Sequence, residues 1–252
     1  MSLHKVVMIR HGESEWTNRN LFCGWYDSLL SEQGHKEAIE AARLLMEIDN
    51  MKFDIVFTSL LSRAMRSVEV ILDEINQKCI QVEKAWQLNE RHYGHLTGMN
   101  KEKAVEQYGH KQVQLWRRSF DILPPPMSED HFCYNEIRDY FRKFGAHIHV
   151  PRVESLKTTM ERVIPYWRES IVPSILSDKN VLIVSHGTVL RSLIKHIEGI
   201  SDSQIMNINV PTAIPFIYEF DSELNPQKSK TFLGDQDKID KAIKKTAAIS
   251  RS

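Results

Sequence analysis

Two short runs constrain the fold of this chain more than any other feature. Lys5-Val6-Val7-Met8-Ile9 and Val181-Leu182-Ile183-Val184 are almost wholly apolar, as expected of strands covered on both faces. Strands are predicted at residues 5–9, 54–58, 80–82, 180–185 and 216–220, and helical periodicities alternate with them. Ser31 caps a helix reaching about residue 48, with Ala38, Ala42, Leu45 and Ile48 on one face. Ser59 or Ser62 opens another through about residue 76, turning Val68, Ile71, Leu72 and Ile75 inward. Asn100 caps a helix ending near Gly109. Ser155 opens a long one towards residue 176, kinked or broken at Pro165 and Pro173. A last helix over 188–198 stops at Gly199. Strands alternating with helices imply parallel βαβ units with helices on both faces. The expected class is α/β, a three-layer αβα arrangement with a mostly parallel central sheet.

The expected organisation is a single domain over residues 1–252. Residues from about 86 to 152 carry few strands and read as an insertion over one sheet edge and the site, with Pro124-Pro125-Pro126 as a rigid break. The tail from about residue 234 is polar and Lys-rich and reads as a mobile segment or a lid. Lys plus Arg and Asp plus Glu each number 33, so the net charge is zero, and nucleic acid is not an expected partner. No stretch nears the roughly 18 apolar residues of a membrane helix. The N-terminal apolar run is too short for a signal peptide. Cys23, Cys79 and Cys133 are an odd number and far apart, which argues against a disulfide framework or structural zinc. A cytoplasmic location is the simplest expectation.

In open α/β sheets, ligands sit at the carboxyl ends of the strands. Arg10-His11-Gly12-Glu13-Ser14 follows the first strand, Ser59 and then Arg63 follow the second, and Ser185-His186-Gly187-Thr188 follows the fourth. Glycine lets the chain turn sharply there, and a helix N-terminus beyond it favours an anion. A lone His at a strand end is usually structural. Two His-Gly pairs at equivalent positions, one preceded by Arg, argue for a site. A metal is not expected, because Arg10 would repel a cation and no Asp or Glu completes a ligand set. Arg63, opening the second helix, suits a phosphate fork.

Arg10-His11-Gly12-Glu13-Ser14 with Trp16 resembles the signature of the histidine phosphatase superfamily. Further segments resemble cofactor-dependent phosphoglycerate mutases: Phe22-Cys23-Gly24-Trp25-Tyr26-Asp27, Leu88-Asn89-Glu90-Arg91-His92-Tyr93-Gly94, Leu96-Thr97-Gly98-Met99-Asn100-Lys101 and Trp116-Arg117-Arg118-Ser119. Pro124-Pro125-Pro126, Glu154-Ser155-Leu156-Lys157 and Phe232-Leu233-Gly234-Asp235 extend the resemblance nearly end to end. It implies interconversion of 3-phosphoglycerate and 2-phosphoglycerate, in glycolysis and gluconeogenesis, by a homodimer acting on small phosphorylated three-carbon acids. The implied cofactor is 2,3-bisphosphoglycerate, without metal. His11 is the implied nucleophile, and an imidazole suits that role near neutral pH. Arg10, Arg63 and His186 would surround the transferring phosphoryl group. Glu90 would be general acid and base. Arg91, His92, Tyr93, Lys101, Arg117 and Arg118 would bind the carboxylate and second phosphate. Ser14, Thr17, Cys23, Gly24, Gly187 and Thr188 would line the pocket. The tryptophans are most simply packing residues.

The chain departs from the pattern. Thr17 and Thr188 stand where the family usually has Asn, with Asn18 next door as a candidate replacement for the first. Val189-Leu190 replaces Ser-Leu, and Arg138-Asp139-Tyr140-Phe141-Arg142-Lys143-Phe144 replaces a basic Asp-Arg-Arg-Tyr segment. The closest rival is a bisphosphoglycerate mutase, which makes and hydrolyses 2,3-bisphosphoglycerate. Ser14 and Gly24 favour the mutase, since that subfamily tends to have Gly and Ser there. Cys23 and Gly234-Asp235-Gln236 lean the other way. A broad phosphomonoesterase ranks third. A different class is a binding module, with the triproline run docking an aromatic groove or the chain an inactive relative with an interaction role; loss of His11 or Glu90 would mark it, and both are present.

Overall fold

The computed structural model describes residues 3–48 and 52–248. Six strands form one sheet: β1 (His4–Arg10), β2 (Ile55–Thr58), β3 (Gln81–Lys84), β4 (Val181–Ser185), β5 (Phe216–Phe220) and β6 (Thr231–Phe232). Their spatial order is β3-β2-β4-β1-β5-β6. The first four run parallel, as β1–β4, β4–β2 and β2–β3 pairs. β5 and β6 are antiparallel additions at one edge. At two residues, β6 is too short to leave a periodic signal in the sequence.

The helices are α1 (Glu15–Asn18), α2 (Glu32–Met46), α3 (Ser62–Glu74), α4 (Lys101–Tyr108), α5 (His110–Arg118), α6 (Tyr134–Arg142), α7 (Leu156–Tyr166), α8 (Val172–Leu176), α9 (Gly187–Ile197) and α10 (Gln236–Ala248). Alternate residues of β1 face opposite layers, as the pleat dictates. Val7 and Ile9 pack with Ala38, Ala42 and Leu45 of α2 and Val68, Ile71 and Leu72 of α3. Val6 and Met8 pack with Val163 of α7, Ile175 of α8 and Leu193 of α9. The result is the three-layer αβα arrangement.

Residues 86–152 hold α4, α5, α6 and no strand of the sheet among the described residues. They build two smaller apolar clusters, one around Trp25, Ile137 and Phe141 and one around Phe22, Ala104, Val113 and Trp116. The helix predicted from Asn100 ends at Gly109 as expected, but Gly109, at φ +81°, also begins α5 at once. The predicted 155–176 helix is continuous. Pro165 lies inside α7, one π-helical stretch (Trp167–Ile171) follows, and Pro173 sits in the first turn of α8. A π turn is one way a helix accommodates a missing N–H.

The tail is ordered as α10, with Ile239 buried, while residues 249–252 lie outside the described residues. Close backbone contact sets the entry to α2. Gly12 and Gly34 pack face to face, so that a Cβ on either would collide with backbone of the 12–13 or 34 segment. No described helix is long and apolar enough to cross a membrane.

Candidate active site

Strand order brings the chemistry together. β1 and β4 are neighbours with Arg10 paired to Ser185, and His11 N–H donates to the Ser185 carbonyl at 2.9 Å. His11 and His186 therefore emerge side by side, with ring centroids 4.8 Å apart at 64°. β2 flanks β4 on its other side, so Ser59 lies beside His186, with Ser59 Oγ 2.7 Å from His186 Nε2. Arg63 follows on α3. Ser62 does open α3, but the cap position is Leu61, which supplies no side-chain acceptor. Asp27 does so from a distant turn, accepting from Ser62 N–H at 2.7 Å and Ser62 O–H at 2.6 Å.

His11 is 3% exposed, and its Nδ1 lies 2.6 Å from the Gly12 carbonyl. A carbonyl only accepts, so Nδ1 carries the proton and Nε2 keeps a lone pair. Burial, then the Arg63 and Arg10 charges, hold its pKa well below 6.5, against the pull of the Gly12 carbonyl. Burial and the neighbouring Arg63, His11 and Arg10 depress His186 likewise. Both imidazoles are thus neutral at pH 7. Arg63 donates Nη1 to the Tyr26 carbonyl at 2.9 Å and Nη2 to the Gly24 carbonyl at 2.8 Å, which fixes its charge beside His11. Arg10 donates Nη1 to the Val210 carbonyl at 2.9 Å, while its buried Nε has no partner among the described residues. Glu90 Oε1 accepts from the N–H groups of Arg91 (2.8 Å) and Thr188 (3.2 Å), and Oε2 carries neither bond.

Arg10, His11, Arg63 and Glu90 open into a cavity of about 820 Å³. Arg10, His11, Thr17, Cys23, Gly24, Arg63, Glu90, Tyr93, Lys101, Arg117, Arg118, Gly187 and Thr188 line it, as does Arg191, which the sequence reading missed. α2 and α10 form its outer walls, through residues such as Glu37, Leu44, Lys238 and Ala242. Lys101 is 9% exposed, and burial with Arg117 pushes its pKa down to about 8. Burial lowers Arg117 to about 10 and Arg118 to about 8, so both are cations at pH 7.

Four expected residues sit elsewhere. Arg91 is fully buried and donates to the carbonyls of Trp116 (3.0 Å) and Arg117 (2.8 Å). Arg191 adds a bond to the Arg118 carbonyl at 3.1 Å. Two guanidinium groups therefore hold the last turn of α5, where a cation suits the helix dipole, and so present Arg117 and Arg118 to the cavity. His92 lies outside the cavity wall: it accepts from Gly94 N–H at 3.0 Å, which needs a neutral ring, and burial pushes its pKa down to about 4. Ser14 caps α1 behind the wall, accepting from Thr17 N–H at 3.2 Å. His186 is not among the residues lining the cavity, and its ring stands edge-on to that of His11 with centroids 4.8 Å apart. Asn18 is exposed and does not line the cavity. Among the described residues no group of His, Cys, Asp or Glu is placed to hold a metal ion.

A profile of the histidine phosphatase superfamily (branch 1) matches residues 6–132 and 127–227. The chain belongs to that superfamily. Solved structures with the same fold include a mycobacterial glucosyl-3-phosphoglycerate phosphatase, 19% identical with a TM-score of 0.65, covering 85% of this chain and 92% of that one. The α-ribazole phosphatase of Shigella flexneri is 21% identical with a TM-score of 0.62, covering 90% and 94%. A phosphoglycerate mutase from Bacillus anthracis is 18% identical with a TM-score of 0.60, covering 86% and 88%.

Proposed function

We propose that this histidine phosphatase superfamily member is a phosphoglycerate mutase, interconverting 3-phosphoglycerate and 2-phosphoglycerate through a phosphohistidine on His11. One observation carries the reading. Lys101, Arg117 and Arg118 line the same cavity as Arg10, His11, Arg63 and Glu90. A simple phosphomonoesterase needs positive charge only around the phosphoryl group it removes. A second cationic cluster suits a substrate with a second anionic group to hold while its phosphate changes place.

The residues suit each step. The His11 Nε2 lone pair attacks phosphorus, forming N–P as the P–O bond to the donor breaks. Arg10 Nε and the fixed charge of Arg63 balance the phosphoryl oxygens. Glu90 Oε2 accepts or returns the proton of the substrate hydroxyl. The basic residues Arg10, Arg63, Lys101, Arg117 and Arg118 of the cavity suit a polyanion such as 2,3-bisphosphoglycerate, which when bound would supply the phosphoryl group that charges His11. A cytoplasmic homodimer belongs to the same reading.

Gly24 supports the mutase over the bisphosphoglycerate mutase alternative. At φ +54°, a Cβ there would lie 3.1 Å from both the Arg91 carbonyl and Tyr93 N, so a Ser would press on the segment carrying Glu90. The test is incubation with 2,3-bisphosphoglycerate. An acid-labile phosphoprotein, lost in His11→Ala, with mutase activity exceeding synthase and phosphatase activity, supports the proposal. Hydrolysis without mutase turnover refutes it.

A further inference from the structure

We infer that Ser59 sets the tautomer of His186, so that His186 presents an Nδ1–H donor to the transferring phosphoryl group. The inference rests on the phosphohistidine reading above and concerns a residue outside the cavity wall. Ser59 and His186 are both fully buried, and Ser59 Oγ lies 2.7 Å from His186 Nε2. That hydroxyl also accepts from Leu61 N–H at 3.2 Å. One lone pair is thereby occupied, leaving one lone pair and one proton.

A neutral imidazole carries a single N–H. Placed on Nε2, it would donate to Ser59 and leave the serine proton without an acceptor in a fully buried site. Nδ1 would then present a bare lone pair, repelled by any phosphoryl oxygen. Placed on Nδ1, the proton frees Nε2 to accept from Ser59 O–H, and the one proton left over is the one on Nδ1, which a phosphoryl oxygen can accept. His186 Nδ1 is itself buried and has no partner among the described residues.

The neighbouring ring is arranged for the complementary task. His11 gives its Nδ1 proton to the Gly12 carbonyl and keeps a lone pair on Nε2. Two imidazoles with centroids 4.8 Å apart thus divide the work, one attacking phosphorus and one donating to its oxygen. Ser59 acts only through His186 and is a positioning residue.

Nitrogen-edited NMR of histidine-labelled protein near neutral pH reads the tautomer without substrate. The expected spectrum shows His186 protonated at Nδ1. Ser59→Ala should convert it to the Nε2–H form and slow phosphoenzyme formation by on the order of 10-fold to 10²-fold. Ser59→Thr keeps the hydroxyl and should restore both. An Nε2–H signal in the unaltered protein overturns the inference, as does an unchanged tautomer in Ser59→Ala. If no phosphoprotein forms yet the tautomer behaves as expected, the mutase reading fails while the role of Ser59 in setting the ring stands.

Discussion

Glu154 and Arg162 grip each other inside the protein, at 2.7 Å from Nε to Oε1 and 2.9 Å from Nη2 to Oε2, and together they fix the backbone that carries Glu90. Arg162 donates to the carbonyls of Gln87 (2.7 Å) and Glu90 (3.0 Å), and Glu154 Oε2 accepts from His92 N–H at 2.8 Å. Their side chains are only 6% and 8% exposed. Arg162→Met would strand a buried carboxylate and release two carbonyls. It should cost about 3–5 kcal/mol in urea unfolding and lower kcat by loosening Glu90. The double variant Glu154→Leu, Arg162→Met should lose less stability than Arg162→Met alone, since no charge is then left unpaired. A single variant as stable as the parent would show that the pair holds nothing.

His92 gives the fold an acid limit. Its ring titrates near 6.5 in an unfolded chain and about 4 in the folded one. The unfolded state thus binds a proton that the folded state refuses. Stability present above pH 6.5 is lost as pH falls towards 4, by roughly 3 kcal/mol from this residue. His11 and His186 push the same way. His92→Asn can still accept from Gly94 N–H and does not titrate. Its urea midpoint should fall less steeply with acid than the parent's, and equal slopes would refute the assignment.

Lys101 predicts a limit on the alkaline side. It is a cation below about pH 8 and loses its proton above. A substrate held by that charge should bind more weakly as pH rises through this range, so kcat/KM should fall several-fold. Lys101→Arg keeps its charge and should flatten the profile. A profile that falls identically in both proteins would place the titrating group elsewhere.

The parts of this site legible in the sequence are the strand ends. Two apolar runs each ending in His-Gly mark His11 and His186, while the pairing of β1 with β4 that makes the two rings meet is seen only in the structure. What the sequence does not show is a side chain whose partner is a backbone group far along the chain. Nothing local marks Arg91 as bound to the Trp116 carbonyl, Arg162 to Gln87, or Asp27 to the start of α3. Arg91, which the resemblance places against substrate, donates inward to two carbonyls instead. α5 was hidden for a different reason: Gly109 is a good helix stop and here also begins the next helix.

The two threonines give the last prediction. Thr17 Oγ1 lies 2.9 Å from Ser14 Oγ, so its hydroxyl is engaged at the start of α1. Asn18 is exposed and does not line the cavity, so it does not stand in for the amide expected at position 17. Thr17→Asn would restore a longer donor, while Ser14 keeps its bond to the residue-17 amide. A hydrogen bond to a charged group contributes about 1.5–3 kcal/mol, less where water already fills the gap. The transition state should gain at least as much as the ground state, because its equatorial oxygens carry the spread charge. Turnover should therefore rise several-fold in Thr17→Asn. Thr188 is 4% exposed and its N–H holds Glu90, so Thr188→Asn has less room and should gain less. The double variant should fall short of additivity, since on the proposed mechanism both donors would serve one phosphoryl group. Measuring kcat and phosphoenzyme lifetime for the two single variants decides it: unchanged or lower turnover in both would mean that the existing hydroxyls and arginines already satisfy the phosphate.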